Sequence, residues 1–149
     1  MNYTDFEVQS QDVDKFLNEI GDEEKTRQIL LDGLKAGAMV LRDRTRESFR
    51  SKLGEGASHS SPYLGGKPFY EGVRMIVDKS YNEAIVSIMK DYRMRFYENG
   101  TKDRVTKKGY KRGRITAKHF FQEARSSSES EIYDAISNGI DIAMRKYLL

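Results

Sequence analysis

The sequence predicts an α+β fold, with a long amphipathic helix and a C-terminal helix packed on a small antiparallel β-meander. Three patterns carry that prediction. From about Asp22 to Ser51 apolar residues recur at helical spacing, between Val73 and Glu98 the period falls to two, and after Ser128 the helical period returns. Strands grouped in one stretch and helices in others favour segregated layers over a parallel sheet.

The 149 residues suit one domain, 1–149, and a chain of this length buries roughly two thirds of its unfolded surface. Charged residues make up 33% and apolar residues 38%, which implies a modest core under a heavily charged surface. The absence of cysteine excludes disulfides, thiolate nucleophiles and cysteine-based metal centres, and is compatible with a reducing compartment. The opening residues MNYTDFEVQSQDVDKF lack the basic and apolar regions of a secretory signal, and no run of about 18 apolar residues exists, so neither that export route nor a membrane is expected.

Residues 1–22 read as an acidic N-terminal arm. A short helix is expected over 12–20, where Val13, Phe16, Leu17 and Ile20 share one face and Gly21 supplies a stop. The long helix follows, its stripe being Leu31, Leu34, Ala38, Leu41, Thr45 and Phe49, with Arg42, Arg44, Arg46 and Glu47 on other faces. Gly33 and Gly37 each cost this helix about 1 kcal/mol relative to alanine. They therefore point to close approach of a strand or another helix, a hinge, or a subunit contact.

Residues 53–68, LGEGASHSSPYLGGKP, hold both prolines of the chain among glycines and serines, and read as a long flexible loop: a functional arm, or a segment ordered by a partner. Val73, Met75 and Val77 then alternate with Arg74, Ile76 and Asp78, Lys79 to Asn82 make a turn, and Ala84, Val86 and Ile88 resume the alternation as the second strand of a hairpin. A third strand is expected over Arg93–Glu98, with Met94 and Phe96 inward and Arg93 and Arg95 outward, ended by Asn99-Gly100. After the basic loop 102–114, Thr116 to Arg125 suit a short helix with Ala117, Phe120, Phe121 and Ala124 inward. Ser128-x-x-Glu131 offers a capping box for a final helix that buries Ile132, Ala135, Ile136, Ile140, Ala143 and Tyr147.

Catalytic chemistry finds little support. His59 and His119 have no second ligand at metal-binding spacing, so neither a metal nor any other cofactor is expected. A magnesium-dependent nuclease would need an acid two residues before the lysine of Ile88-Met89-Lys90, where isoleucine stands, and Asp78, Glu83 and Asp91 read as turn and strand-edge residues. No phosphate-cradling glycine motif occurs, and the chain is not expected to be an enzyme. What remains is charge. Residues 1–24 carry eight acids against Lys15, whereas 102–114 carry Lys102, Arg104, Lys107, Lys108, Lys111, Arg112 and Arg114 against Asp103, with Tyr110 interleaved. Such a loop is simply solvated, or meets an acidic protein surface, or contacts nucleic acid.

Two segments carry a resemblance. Phe96-Tyr97-Glu98-Asn99-Gly100-Thr101 is similar to an aromatic, glutamate and Gly-Thr signature, and His119-Phe120-Phe121-Gln122-Glu123-Ala124 stands where a Pro-Phe-Leu-x-Pro-Ala segment is found, in the gene-product-ten-like tail-component family of tailed phages. Members of that family are described as head–tail connector, neck or minor tail proteins, and the resemblance spans roughly residues 24–147. It implies a non-enzymatic structural component that forms a homo-oligomeric ring, usually sixfold, at the head–tail junction of the virion, assembled in the host cytoplasm beside neighbouring neck and tail proteins, with DNA in the ring lumen. Connector and tail-completion roles stay open. The residues expected at subunit or partner contacts are Glu98, Gly100, Thr101, Arg104, Lys107, Lys108, Arg112, Arg114, Phe120 and Phe121, with backbone geometry at Gly100 and core packing at Phe120 and Phe121 as the structural alternative. The competing expectation is a small nucleic-acid-binding module that uses Arg93, Arg95 and the basic loop 102–114.

Overall fold

The computed structural model describes residues 5–7 and 21–148, and the helix expected over 12–20 lies outside the described residues. Helix α1 runs Glu23–Leu53 over 31 residues. The Asp22 carboxylate starts it by accepting the backbone N–H groups of Glu24 at 2.9 Å and Lys25 at 3.3 Å. Acids in its first turn and Arg50 and Lys52 in its last complement the helix dipole. The stripe from Leu31 to Phe49 is buried as its spacing predicts, joined by Ile29 and Leu30.

Helix α1 carries the sheet. Strands β2 (Arg74–Asp78) and β3 (Glu83–Ser87) form the predicted hairpin, with Met75 opposite Val86 and Val77 opposite Ala84. Asp78 caps the turn by accepting the N–H of Ser80 at 2.9 Å, and Asn82 takes the left-handed conformation at φ 52°. The third strand comes from the other end of the chain. Strand β1 (Asp5–Glu7) pairs antiparallel with β3, with Phe6 opposite Val86, and the order is β1-β3-β2.

Residues 93–98, expected as that third strand, are instead helical: α2 spans Met94–Asn99. Asp91, Met94 and Glu98 are buried at a spacing of three and four, while Phe96 is only half-buried. In this six-residue segment Met94 and Phe96 fit a period of two while Met94 and Tyr97 fit a helical one, and here tertiary packing decides.

The 53–68 segment is built rather than flexible. A short 3-10 turn at Gly54–Ser58 precedes a bridge between Ser60 and Pro68, which closes around a second such turn at Pro62–Leu64. Gly65 and Gly66, at φ 65° and 85°, double the chain back so that Ser61 N–H meets Lys67 C=O at 2.9 Å and Phe69 N–H meets His59 C=O at 2.8 Å. Ala57, Ser61 and Leu64 are buried.

Helix α3 (Phe120–Ser127) starts later than predicted, because residues 115–119 run beside α2 and its C-terminal turn and His119 turns the chain at φ 49°. Helix α4 is Glu129–Leu148. The expected capping box does not form: the Ser128 hydroxyl donates to the Ala124 carbonyl, and the Glu131 carboxylate takes a two-pronged contact from Arg44 at 2.8 and 2.9 Å. The glycines of α1 explain themselves here. A Cβ on Gly33 would lie 2.5 Å from Ile140 Cγ1, and one on Gly37 2.5 Å from Ile136 Cγ1, so both clear a path for α4. Gly139 answers from α4, where a Cβ would sit 3.2 Å from the Gly33 Cα. Phe49 anchors the core at the other end of α1, edge-on to Phe69 at 5.1 Å and to Phe120 at 4.7 Å between ring centres.

Candidate functional site

The basic loop is a two-stranded ribbon. Strand β4 (Arg104–Val105) pairs antiparallel with β5 (Lys111–Gly113) through an irregular register, Arg104 opposite Gly113 and Val105 opposite Lys111. At the tip, Thr106 N–H donates to Tyr110 C=O at 2.9 Å and Tyr110 N–H returns to the Thr106 hydroxyl at 3.0 Å, with Gly109 at φ 86° between them. Apart from half-buried Thr106, every residue of 102–114 is exposed. The two strands pack substantially on each other and on no other element among the described residues. The ribbon therefore stands off the body, and its position depends on its foot.

That foot is built by the Tyr97-Glu98-Asn99-Gly100-Thr101 segment. Thr101 N–H donates to Ile115 C=O at 2.9 Å, and the Thr101 hydroxyl accepts Ile115 N–H at 2.8 Å. Two further backbone bonds, Lys118 to Tyr97 at 2.7 Å and His119 to Glu98 at 3.2 Å, extend the clamp. The buried Glu98 carboxylate then accepts the N–H of Phe121 at 2.8 Å and of Gln122 at 3.0 Å, satisfying two of the orphan donors at the start of α3. Gly100 sits at φ 75°, and a Cβ there would meet the Ala117 nitrogen at 3.0 Å and the Ile115 oxygen at 3.1 Å.

The ten residues expected at contacts divide accordingly. Phe120 and Phe121 are 0% exposed and Glu98 is 1% exposed, so these three are core and capping residues rather than partner contacts. Gly100 and Thr101 hold the foot. Arg104, Lys107, Lys108, Arg112 and Arg114 are exposed, and none of them meets a carboxylate among the described residues. Beside the foot, Asn99, Thr101, Lys102, Arg114 and Thr116 line an open groove of about 510 Å³.

A second cluster escaped sequence reasoning. Asp91 is fully buried and holds Arg93 through contacts of 2.9 and 2.6 Å, while the Ser61 hydroxyl donates to the same carboxylate at 2.6 Å. Burial alone would raise the Asp91 pKa, but the hydrogen bonds from Arg93 and Ser61 outweigh it and hold the carboxyl below its ordinary value. Arg93, its own pKa raised by the hydrogen bond it donates to Asp91, lies over the rings of Tyr63 and Phe69 at 5.2 and 4.9 Å. It is a half-buried strut at the start of a helix, not the outward-facing cation expected on a strand. An Asp-x-Arg pair is too common in sequence to have announced this. Among the described residues no group of three or more histidine or acidic side chains is placed to hold a metal ion.

Compared with protein-family models, curated protein sequences and solved structures, the chain matches none.

Proposed function

We propose that the protein is a non-enzymatic structural component of a tailed-phage virion, a connector, neck or tail-completion protein that assembles as a homo-oligomeric ring at the head–tail junction. The observation that carries this reading is the ribbon itself: a firmly footed, exposed hairpin with seven basic residues against one acid. Eight acids lie in the first 24 residues of the same chain, against one base. A surface of one sign and a segment of the other on one chain suit a head-to-tail contact, which closes into a ring when the rotation between subunits permits. The family resemblance of the Phe96–Thr101 and His119–Ala124 segments points the same way.

In this reading the ribbon of one subunit, through Arg104, Lys107, Lys108 and Arg112, meets the acidic segment of the next. The Lys107/Lys108/Arg112→Glu variant tests it. Loss of assembly is expected, with a thermal unfolding midpoint equal to the wild type's at high salt, where both are dispersed; rings of wild-type size from the variant would sink the contact.

A further inference from the structure

A second surface runs from the core of the molecule to the ribbon's foot. Tyr92, Arg95, Phe96 and Asn99 fall at i, i+3, i+4 and i+7 around α2 and the turn before it, so they share one face. Tyr92, Arg95 and Asn99 are exposed and Phe96 half so. The rings form a ladder: Tyr63 edge-on to Tyr92 at 5.2 Å between centres, Tyr92 to Phe96 at 6.0 Å, and the Arg95 guanidinium over Phe96 at 5.6 Å. At its far end Asn99 enters the groove of about 510 Å³ whose cations are Lys102 and Arg114. Aromatic faces, an arginine and a cationic groove thus follow one another without a break.

The charge along this face is one-sided. The carboxylates on and just before α2, Asp91 and Glu98, are buried and already engaged, the first by Arg93 and Ser61 and the second at the start of α3. Arg95, Lys102 and Arg114 meet no carboxylate among the described residues. The only exposed acid between residues 92 and 118 is Asp103. Unpaired cations seek phosphates, and exposed tyrosines beside them offer π-faces to bases that are not already stacked. The face is poor in exposed aliphatic surface, which an apolar protein partner would require.

We infer that the α2 face and the groove at the ribbon's foot form a binding track for single-stranded nucleic acid, with a base on Tyr92, which Tyr63 braces from the side, and phosphates on Arg95, Lys102 and Arg114. The inference stands apart from ring assembly, since it needs only the folded chain and none of the three residues changed in the assembly test.

Fluorescence anisotropy with a labelled oligothymidylate over a range of salt tests it on the full chain. Saturable binding that weakens with salt is expected. Arg95→Ala with Arg114→Ala should reduce the slope of log affinity against log salt by about 1.4, at about 0.7 for each phosphate no longer neutralised. Tyr92→Leu should weaken binding about fivefold or more while leaving that slope unchanged, as removal of a stacking ring does. Circular dichroism confirms that each variant folds, and the exposed arginine pair keeps the test valid if the tyrosine variant does not. The track is overturned if no saturable binding occurs at low salt, if the arginine double variant binds like wild type, or if duplex DNA or polyglutamate competes as well as the oligothymidylate.

Discussion

The carboxylate of Glu98 accepts the backbone N–H of Phe121 at 2.8 Å, and through that bond the helix before the ribbon is fastened to the helix after it. The same carboxylate takes the Gln122 N–H, so one buried side chain ends a 23-residue excursion of the chain that includes the whole ribbon. Glu98→Ala should therefore cost about 2 kcal/mol, combining a lost helix cap with the buried Phe121 N–H left unpaired, while the Gln122 N–H, on an exposed residue, can turn to water. Chemical denaturation measures it, and Glu98→Gln, which keeps one acceptor, should cost about half as much.

Deleting the ribbon should cost almost nothing. Joining Asp103 to Arg114 through a short Gly-Ser turn removes only residues that, among the described residues, pack substantially on no other element, so the stability of the dispersed chain at high salt should change by less than about 0.5 kcal/mol while assembly at low salt is lost. A large fall in the unfolding midpoint would mean that the ribbon is part of the folded core.

Gly139→Ala pits helix propensity against packing. The new Cβ would lie 2.9 Å from Ala36 Cβ, 3.2 Å from Gly33 Cα and 3.3 Å from the Asp32 carbonyl oxygen, two of which are backbone atoms that cannot swing away. Overpacking should outweigh the roughly 1 kcal/mol that alanine gains in a helix, for a net loss of about 1–2 kcal/mol by thermal or urea unfolding. A stabilised variant would show that α1 and α4 separate more readily than their glycines imply.

Asp91 makes stability depend on acid. Its folded pKa is depressed below the unfolded value of about 3.9, so its contribution is fully present above about pH 5 and is lost as pH falls through the folded value. Asp91→Asn should remove about 2 kcal/mol at neutral pH, because Arg93 and Ser61 lose their charged partner, and should flatten the acid limb of the stability profile. Parallel acid limbs for wild type and variant would place the acid sensitivity elsewhere.

The parts of this fold that are legible in sequence are those whose pattern is long or local. The stripe from Leu31 to Phe49 repeats often enough to fix a helix, and the β2–β3 hairpin carries its alternation and its turn side by side. Residues 93–98 mislead because Met94 pairs with Phe96 at a strand's spacing and with Tyr97 at a helix's. The order within 53–68 is invisible locally because it depends on Ser61 finding Asp91 thirty residues later. Likewise β1 pairs with a strand some eighty residues away, which no local pattern announces. At the site, the ribbon's charge can be read from composition alone. Its foot cannot: Glu98, Phe120 and Phe121 stand out in sequence, but a capping carboxylate and two core rings look the same there as exposed contact residues.

The central claim is a ring held by opposite charges, and absolute mass by light scattering behind a sizing column, at low and at high salt, tests it most directly. The account predicts an assembly of about six chains at low salt that falls apart as salt screens the ribbon from its acidic partner. A monomer at both salt concentrations would contradict it.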